Sequence, residues 1–382
     1  MKLLYFIPSL YNPGGMERVL TQKINYFADN LNYEITIVTT EQMQRPCFYK
    51  LSENIKLIDI GLNFNADSGA GLLKRTFLHY YKLQKYKKIA EDKIKAIKPD
   101  ICVSLGGKEI EFFAKLKSEV PKIVEIHFSL NYRKQFLTSN YKGKIWSVIG
   151  DIRTLQLKRS TKQLDKLVVL THQDEIQWKK THKNIVRIPN PNPLNPFYRS
   201  TVQNKTVISV GRLDAQKGFD MLIDAWKVVA EKHSDWVLNI FGQGEWEEML
   251  RNKINLNNLH NQVILKGLSH VIENEYLNSS IYVMSSRYEG FGMVILEAMS
   301  CGLPVVSFDC QWGPSELIKD GENGFLVSPN DTQELADKIC LLIEKQKLRL
   351  TMSINAVELS KKYDISNIIG QWTNLFNEVT KK

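Results

Sequence analysis

Short, almost unbroken apolar runs alternate with longer amphipathic segments along this chain. Midway the alternation halts at a proline-rich stretch and begins again. "KLLYFIP" (2–8), "YEITIVTT" (33–40), "DICVSL" (100–105), "KIVEIHF" (122–128) and "KLVVLT" (166–171) make up the first series. Runs this short and this apolar suit strands covered on both faces, as in parallel sheets, with helices expected near 16–30, 72–98, 108–118 and 131–160. At 189–197 comes "PNPNPLNPF", with four prolines in nine residues. Proline lacks the amide donor and fixes φ, so neither a helix nor a central strand runs through it. The second series is "TVISVGRL" (206–213), "WVLNIFG" (236–242), "QVILKG" (262–267), "IYVMSS" (281–286) and "PVVSFD" (304–309). Its helices are expected near 218–232, 245–254, 271–278, 291–301 and 331–345. Two Rossmann-like α/β domains are therefore predicted, at 1–190 and 191–363, with ligand sites at the carboxyl ends of their strands. Residues 364–382 read as a last helix, with Ile365, Ile368, Ile369, Trp372, Leu375, Phe376 and Val379 at helical spacing.

Composition narrows the function classes. The chain has 382 residues, 43% of them hydrophobic, enough to bury large cores without staples. No apolar run approaches the ~18 residues of a membrane span. The opening "MKLLYFIPSLYNPGG" has one lysine and an apolar run that stops at Pro8, so it reads as a first strand rather than a signal peptide. Five scattered cysteines without a CxxC pair fit a reduced cytoplasm and no zinc site. Net charge is +10 and uneven: residues 1–190 hold 32 Lys and Arg against 18 Asp and Glu. That half favours an anionic partner: nucleic acid, a membrane surface or a phosphate-bearing substrate. Nucleic acid is set aside, because no recognition motif accompanies the charge. The segment 74–98 mixes lysines with Phe, Tyr and Leu, which suits either an anionic membrane surface or an ordinary solvated helix.

Four motifs carry chemistry. "PGGMERV" (13–19) follows the first run, and Gly14 and Gly15 let backbone amides approach a phosphate at a helix N-terminus; a plain tight turn is the alternative. "SVGRLDAQKGFDMLIDAW" (209–226) sets Arg212 at a strand end and Lys217 just before a helix. Two such cations suit a diphosphate, although loop charges are commonly only solvated. In "IFGQGEWEEML" (240–250), Gly242 and Gly244 shape a turn or admit a nucleotide base. In "SSRYEGFGMVILEAMSCGLPVV" (285–306), Glu289 precedes a helix expected to begin near Phe291, and Glu297 sits within it among apolar residues. Burying a carboxylate is costly unless something binds it. Amides at the helix start would hold an anion, and the two carboxylates would accept from sugar hydroxyls on either side. The opposing reading pairs Glu297 with a lysine and leaves Glu289 solvated.

With "VGRLDAQKG", "PGGMERV" and "GENGFLV" (321–327) in order around it, "EGFGMVILEAMSCGLPVV" resembles the E-x7-E motif of retaining glycosyltransferases of family 4, along nearly the whole chain. The resemblance implies a GT-B fold, two Rossmann-like domains facing each other across a cleft, with the C-terminal helix crossing back to the first. It implies transfer of a hexosyl unit from a nucleoside diphosphate sugar to a hydroxyl, with retention and without a metal; no DxD sequence is present. It puts the donor diphosphate near Gly15, Arg212 and Lys217, Glu297 on the ribose and Glu289 on the sugar. Gly290, Phe291, Gly292, Met293 and Val294 would line the donor, and Leu268 would lie by the base. His127 matches a histidine that relatives set beside donor sugar and acceptor, although Phe128 and Ser129 depart from the usual pattern. "SFDCQWGPSEL" (307–317) resembles enzymes that build capsule, exopolysaccharide or lipopolysaccharide repeats from UDP-sugars. The expected acceptor is a glycan or a polyprenyl-diphosphate-linked sugar, and the expected place is the cytoplasm or the inner face of its membrane. A GT-B epimerase of UDP-sugars and a non-catalytic nucleotide-sugar-binding module are the competing readings.

Overall fold

The computed structural model of the protein describes residues 1–67, 71–141, 143–269 and 271–381. Two all-parallel sheets carry the chain. The first takes β1 (Lys2–Ile7), β2 (Glu34–Thr39), β3 (Ile55–Asp59), β4 (Ile101–Ser104), β5 (Lys122–Glu125), β6 (Lys166–Val169) and β7 (Ile185–Arg187), in the order β3-β2-β1-β4-β5-β6-β7. The second takes β8 (Thr206–Val210), β9 (Val237–Phe241), β10 (Val263–Gly267), β11 (Ile281–Met284), β12 (Val305–Phe308) and β13 (Gly324–Val327), in the order β10-β9-β8-β11-β12-β13. In each sheet the chain builds outward one way, then returns beside its first strand and builds the other way. β1 pairs with both β2 and β4, and β8 with both β9 and β11. Open α/β sheets bind ligands where the order reverses, at the strands' carboxyl ends.

Alternation along β1 shows why these runs are so apolar. Leu3, Tyr5 and Ile7 enter one core, Leu4 and Phe6 the other, and all five are fully buried. Each such side chain contributes roughly 1.5–3 kcal/mol of burial. The helix Ile365–Thr380 lays Ile368, Ile369, Trp372, Leu375, Phe376 and Val379 into the first of these cores, beside Leu20, Ile24 and Phe27 of the helix Gly15–Leu31. The Phe27 and Phe376 rings lie 5.5 Å apart.

The compact units depart from simple sequence order. The first comprises Met1–Asn131, Val148–Pro191 and Ile365–Lys382; the second comprises Tyr132–Ser147 and Asn192–Asp364. Residues 132–147, assigned above to the first domain, thus cluster with the second. The expected helix at 131–160 is two, Tyr132–Asn140 and Lys144–Thr161. The expected helix at 108–118 is two short 3-10 turns, Lys108–Glu111 and Phe113–Lys115. There the Glu109 carboxylate folds back onto the Gly107 amide and the Ser104 hydroxyl, at 3.0 and 2.7 Å, and tightens the chain. Strands β3, β7 and β13, absent from the two series of apolar runs, all lie at sheet edges. Among the described residues no helix is long and apolar enough to cross a membrane.

Candidate functional site

The reversal point of the second sheet lies between β8 and β11, and the loops after these strands hold the charged residues singled out above. β8 ends at Val210, so Arg212 stands in the following loop rather than on the strand. Lys217 closes the same loop. Its Nζ lies 2.6 Å from Glu289 Oε1, which also accepts from Ser286 Oγ at 2.6 Å. Both side chains are nearly buried, at 15% and 8% exposure, whereas Arg212 is 69% exposed. Arg212 meets Asp214 Oδ2 at 3.2 Å and Gln216 Oε1 at 3.1 Å. Glu289 is therefore neither solvated nor isolated: it is the counter-charge of Lys217.

Arg287, which sequence reasoning passed over, ties the two loops together. It grips Asp220 with both ends of its fork, at 3.0 and 2.7 Å, and donates to Ala215 O at 2.8 Å. Its own amide donates to Gln216 O at 2.8 Å. Gln216 Nε2 reaches Tyr288 O at 3.0 Å, and Ser285 Oγ reaches Lys217 O at 2.9 Å. Charge-assisted bonds of this kind contribute about 1.5–3 kcal/mol each. Residues 215–217 are thereby held against the strand-β11 loop. A signal for this was in view, since Arg287 stands two residues before Glu289.

Gly292 caps the helix Met293–Ser300 with φ 88°, a left-handed conformation that side chains resist. The helix starts two residues later than predicted. Phe291 is buried edge-on against Tyr363, centroids 5.9 Å apart. Met293, Val294 and Gly290 are partly buried and Leu268 is 61% exposed. Glu297, 6% exposed, accepts from the Tyr276 hydroxyl at 3.0 Å. Among the described residues a tyrosine thus meets this carboxylate; twenty-one residues separate the two, and nothing in the sequence links them. Burial first, then the Glu289 and Glu297 charges, push the Tyr282 phenol well above its ordinary value, so both carboxylates act on this one ring.

Gly242 allows two backbones to meet. A Cβ there would collide with Gly211 O, because the loop after β9 lies directly on the loop after β8. The Gly211 amide donates to Phe241 O at 2.9 Å and the Leu213 amide to Gln243 O at 3.0 Å.

In the first unit, Gly14 caps the helix Gly15–Leu31, as expected, and a Cβ on it would strike the Glu17 carboxylate. Burial raises the Glu17 carboxyl, while its own backbone amide and then His127 pull it back. His127 lies two residues beyond the end of β5, and its Nε2 is 3.2 Å from Glu125 Oε1. The structure thus gathers Glu17, Glu125 and His127 at the carboxyl edge of this sheet. Farther along the same loop, the Leu130 amide donates to Asp174 Oδ1 at 3.2 Å.

Burial pushes the Asp174 carboxyl up to about 7, against the pull of Leu130 and Thr171. A carboxyl raised in the fold holds its proton more tightly there than in the unfolded chain. Stability is full below the unfolded value of about 4 and declines as pH rises through the folded one. Asp174→Asn keeps an acceptor for Leu130 and removes the charge. Between pH 5 and pH 8 the wild-type protein is expected to lose on the order of 2–4 kcal/mol relative to Asp174→Asn. Parallel Tm-against-pH curves for the two proteins would exclude this ionisation.

Residues 196–359 match the family model described as glycosyl transferases group 1. A Haemophilus influenzae protein described as an uncharacterized glycosyltransferase is 30% identical, over 98% of this chain and 99% of its own. The amylovoran biosynthesis glycosyltransferase AmsD of Erwinia amylovora is 26% identical, over 98% of this chain and 99% of its own. Among solved structures, Anabaena HepE in complex with UDP and glucose aligns with a TM-score of 0.75 at 20% identity, covering 99% of each chain.

Proposed function

The chain belongs to the glycosyl transferases group 1 and has the GT-B fold, and on that premise we propose that it moves a hexosyl unit from a UDP-sugar to a glycan or a polyprenyl-diphosphate-linked acceptor, with retention of configuration and no metal, in the manner of family 4. The observation that carries this reading is the Lys217–Glu289 pair set at the reversal point of the second sheet, beside Arg212 and the start of the helix Met293–Ser300. An ammonium has three donors and Glu289 engages one, so a diphosphate oxygen can share the same cation. Glu289 can then accept from a sugar hydroxyl close to the bond that breaks. Glu297, steadied by Tyr276, offers an acceptor to the ribose.

In the reaction, the bond from the anomeric carbon to the phosphate oxygen breaks and a bond to the acceptor oxygen forms. The acceptor's proton passes to the departing phosphate. Negative charge grows on the diphosphate, and Arg212, Lys217 and the helix start oppose it where it grows. His127, at the carboxyl edge of the first sheet, serves the incoming hydroxyl.

UDP as the nucleotide is supported by the UDP in the HepE structure, and a surface-polymer product by the AmsD relative. We place the enzyme in the cytoplasm, touching the anionic inner membrane face through the helix Leu72–Ile97, where Phe77, Tyr80 and Tyr81 are exposed among lysines.

The test is a thermal-shift screen of UDP- and GDP-sugars, followed by transfer assays with the stabilising donor and polyprenyl-diphosphate sugars. A UDP-sugar is expected to raise Tm and to be consumed only with acceptor present, equally with or without EDTA, by protein that sediments with anionic vesicles at low salt. Conversion of the donor without acceptor would point to an epimerase. Binding without consumption under any acceptor would point to a binding module.

A further inference from the structure

Behind His127 lies a buried charge pair that the transfer reaction as described does not use. Lys23, on the helix that Gly14 caps, reaches Glu125 Oε2, and the two side chains are 0% and 2% exposed. Lys23 also sits over the Trp372 ring, 4.0 Å from its centroid, so the C-terminal helix closes the pair from outside. Two charges removed from water in this way usually stabilise a fold no more than apolar residues of the same volume. Such a pair therefore invites another explanation, and its second carboxylate oxygen supplies one. Glu125 Oε1 lies 3.2 Å from His127 Nε2, and the His127 side chain is 7% exposed.

The chemistry of that contact is directional. A neutral imidazole carries a proton on one nitrogen and a lone pair on the other. A lone pair held against an anionic oxygen would be repelled, so a proton belongs on Nε2 and the lone pair on Nδ1. The contact is close without being aligned as a full hydrogen bond, so its hold on the ring is mainly electrostatic. This requires Glu125 to stay ionised. Burial works to raise its carboxyl, but the Lys23 ammonium leads the groups that outweigh burial and hold it down to about 2.

We propose that Glu125 is a positioning residue for His127: anchored by Lys23, it fixes the imidazole in the tautomer protonated on Nε2 and sets the plane of the ring. Lys23 and Trp372 are the supports that keep the carboxylate charged and in place. This rests on the reading that His127 takes part in transfer.

The test uses the full chain with 15N-labelled histidine, the His127 signals being identified by their loss in His127→Gln. Wild-type protein at about pH 8 is expected to show Nε2 protonated. In the double variant Lys23→Met, Glu125→Leu, which replaces both charges by apolar groups of similar size, the tautomer mixture should shift toward Nδ1–H. Turnover should fall at least about 10-fold while donor KM holds. Glu125→Asp is the companion variant: it keeps an anion for the flexible lysine and draws it back from the ring, and it should move both readouts the same way. An unchanged tautomer in either variant overturns the role given to Glu125. A changed tautomer with unchanged turnover overturns the part of His127 in transfer instead.

Discussion

Lys217→Ala is expected to lower transfer about 10²- to 10³-fold in kcat, the loss typical when one preorganised donor is removed from developing charge. The fold should survive. Glu289 keeps the Ser286 hydroxyl at 2.6 Å when its cation goes. The stability loss should be on the order of 1–2 kcal/mol, and assays below Tm avoid it. Arg212→Ala should also impair turnover. Its guanidinium is 69% exposed and, among the described residues, held by Asp214 and Gln216, so its removal leaves stability nearly untouched. Glu289→Gln discriminates further. It leaves Lys217 in place with an amide oxygen as partner, so UDP itself should bind as before while transfer falls. Near-normal turnover in both Lys217→Ala and Arg212→Ala would remove the basis for placing the diphosphate at this edge of the second sheet.

Gly242→Ala should damage the same site without touching a charge. The glycine has φ 142°, and a Cβ on it would overlap Gly211 O. The obstacle is backbone, which cannot rotate aside as a side chain can. Strain and overlap together should cost on the order of 3 kcal/mol. The displaced strand-β8 loop carries Arg212 and Lys217, so UDP affinity should drop with stability. The measurements are denaturant midpoint and UDP titration on one preparation. An alanine variant with wild-type midpoint and UDP affinity would show that the loop after β9 does not hold the cations in place.

The central strands of both sheets were readable because they are buried on both faces and therefore uniformly apolar. β1, β2, β4, β8, β11 and β12 all stood out in this way. The edge strands β3, β7 and β13 did not. β3 has a single buried position, Ile55, followed by exposed and partly exposed ones, and β7 has only three residues. An edge strand has one neighbour and can leave a face in water, which weakens its apolar signal in β3 and β7; the edge strand β10 was still apolar enough to be read. The two short turns at 108–118 were mistaken for a helix because the Glu109 carboxylate, which tightens them, acts through contacts that periodicity does not register.

Sequence by itself determined the doubled α/β plan, the proline-rich break between its halves and the motif residues, because strand burial and turn chemistry act over a few positions. Only the tertiary structure decided which charges answer one another: Lys217 with Glu289, Tyr276 with Glu297, Arg287 with Asp220, and Lys23 with Glu125 and His127. These partners stand between 2 and 102 residues apart, and most are brought together by strand order. A buried charge is satisfied by whatever the packed fold sets within about 3 Å of it. No local rule of the chain records that choice.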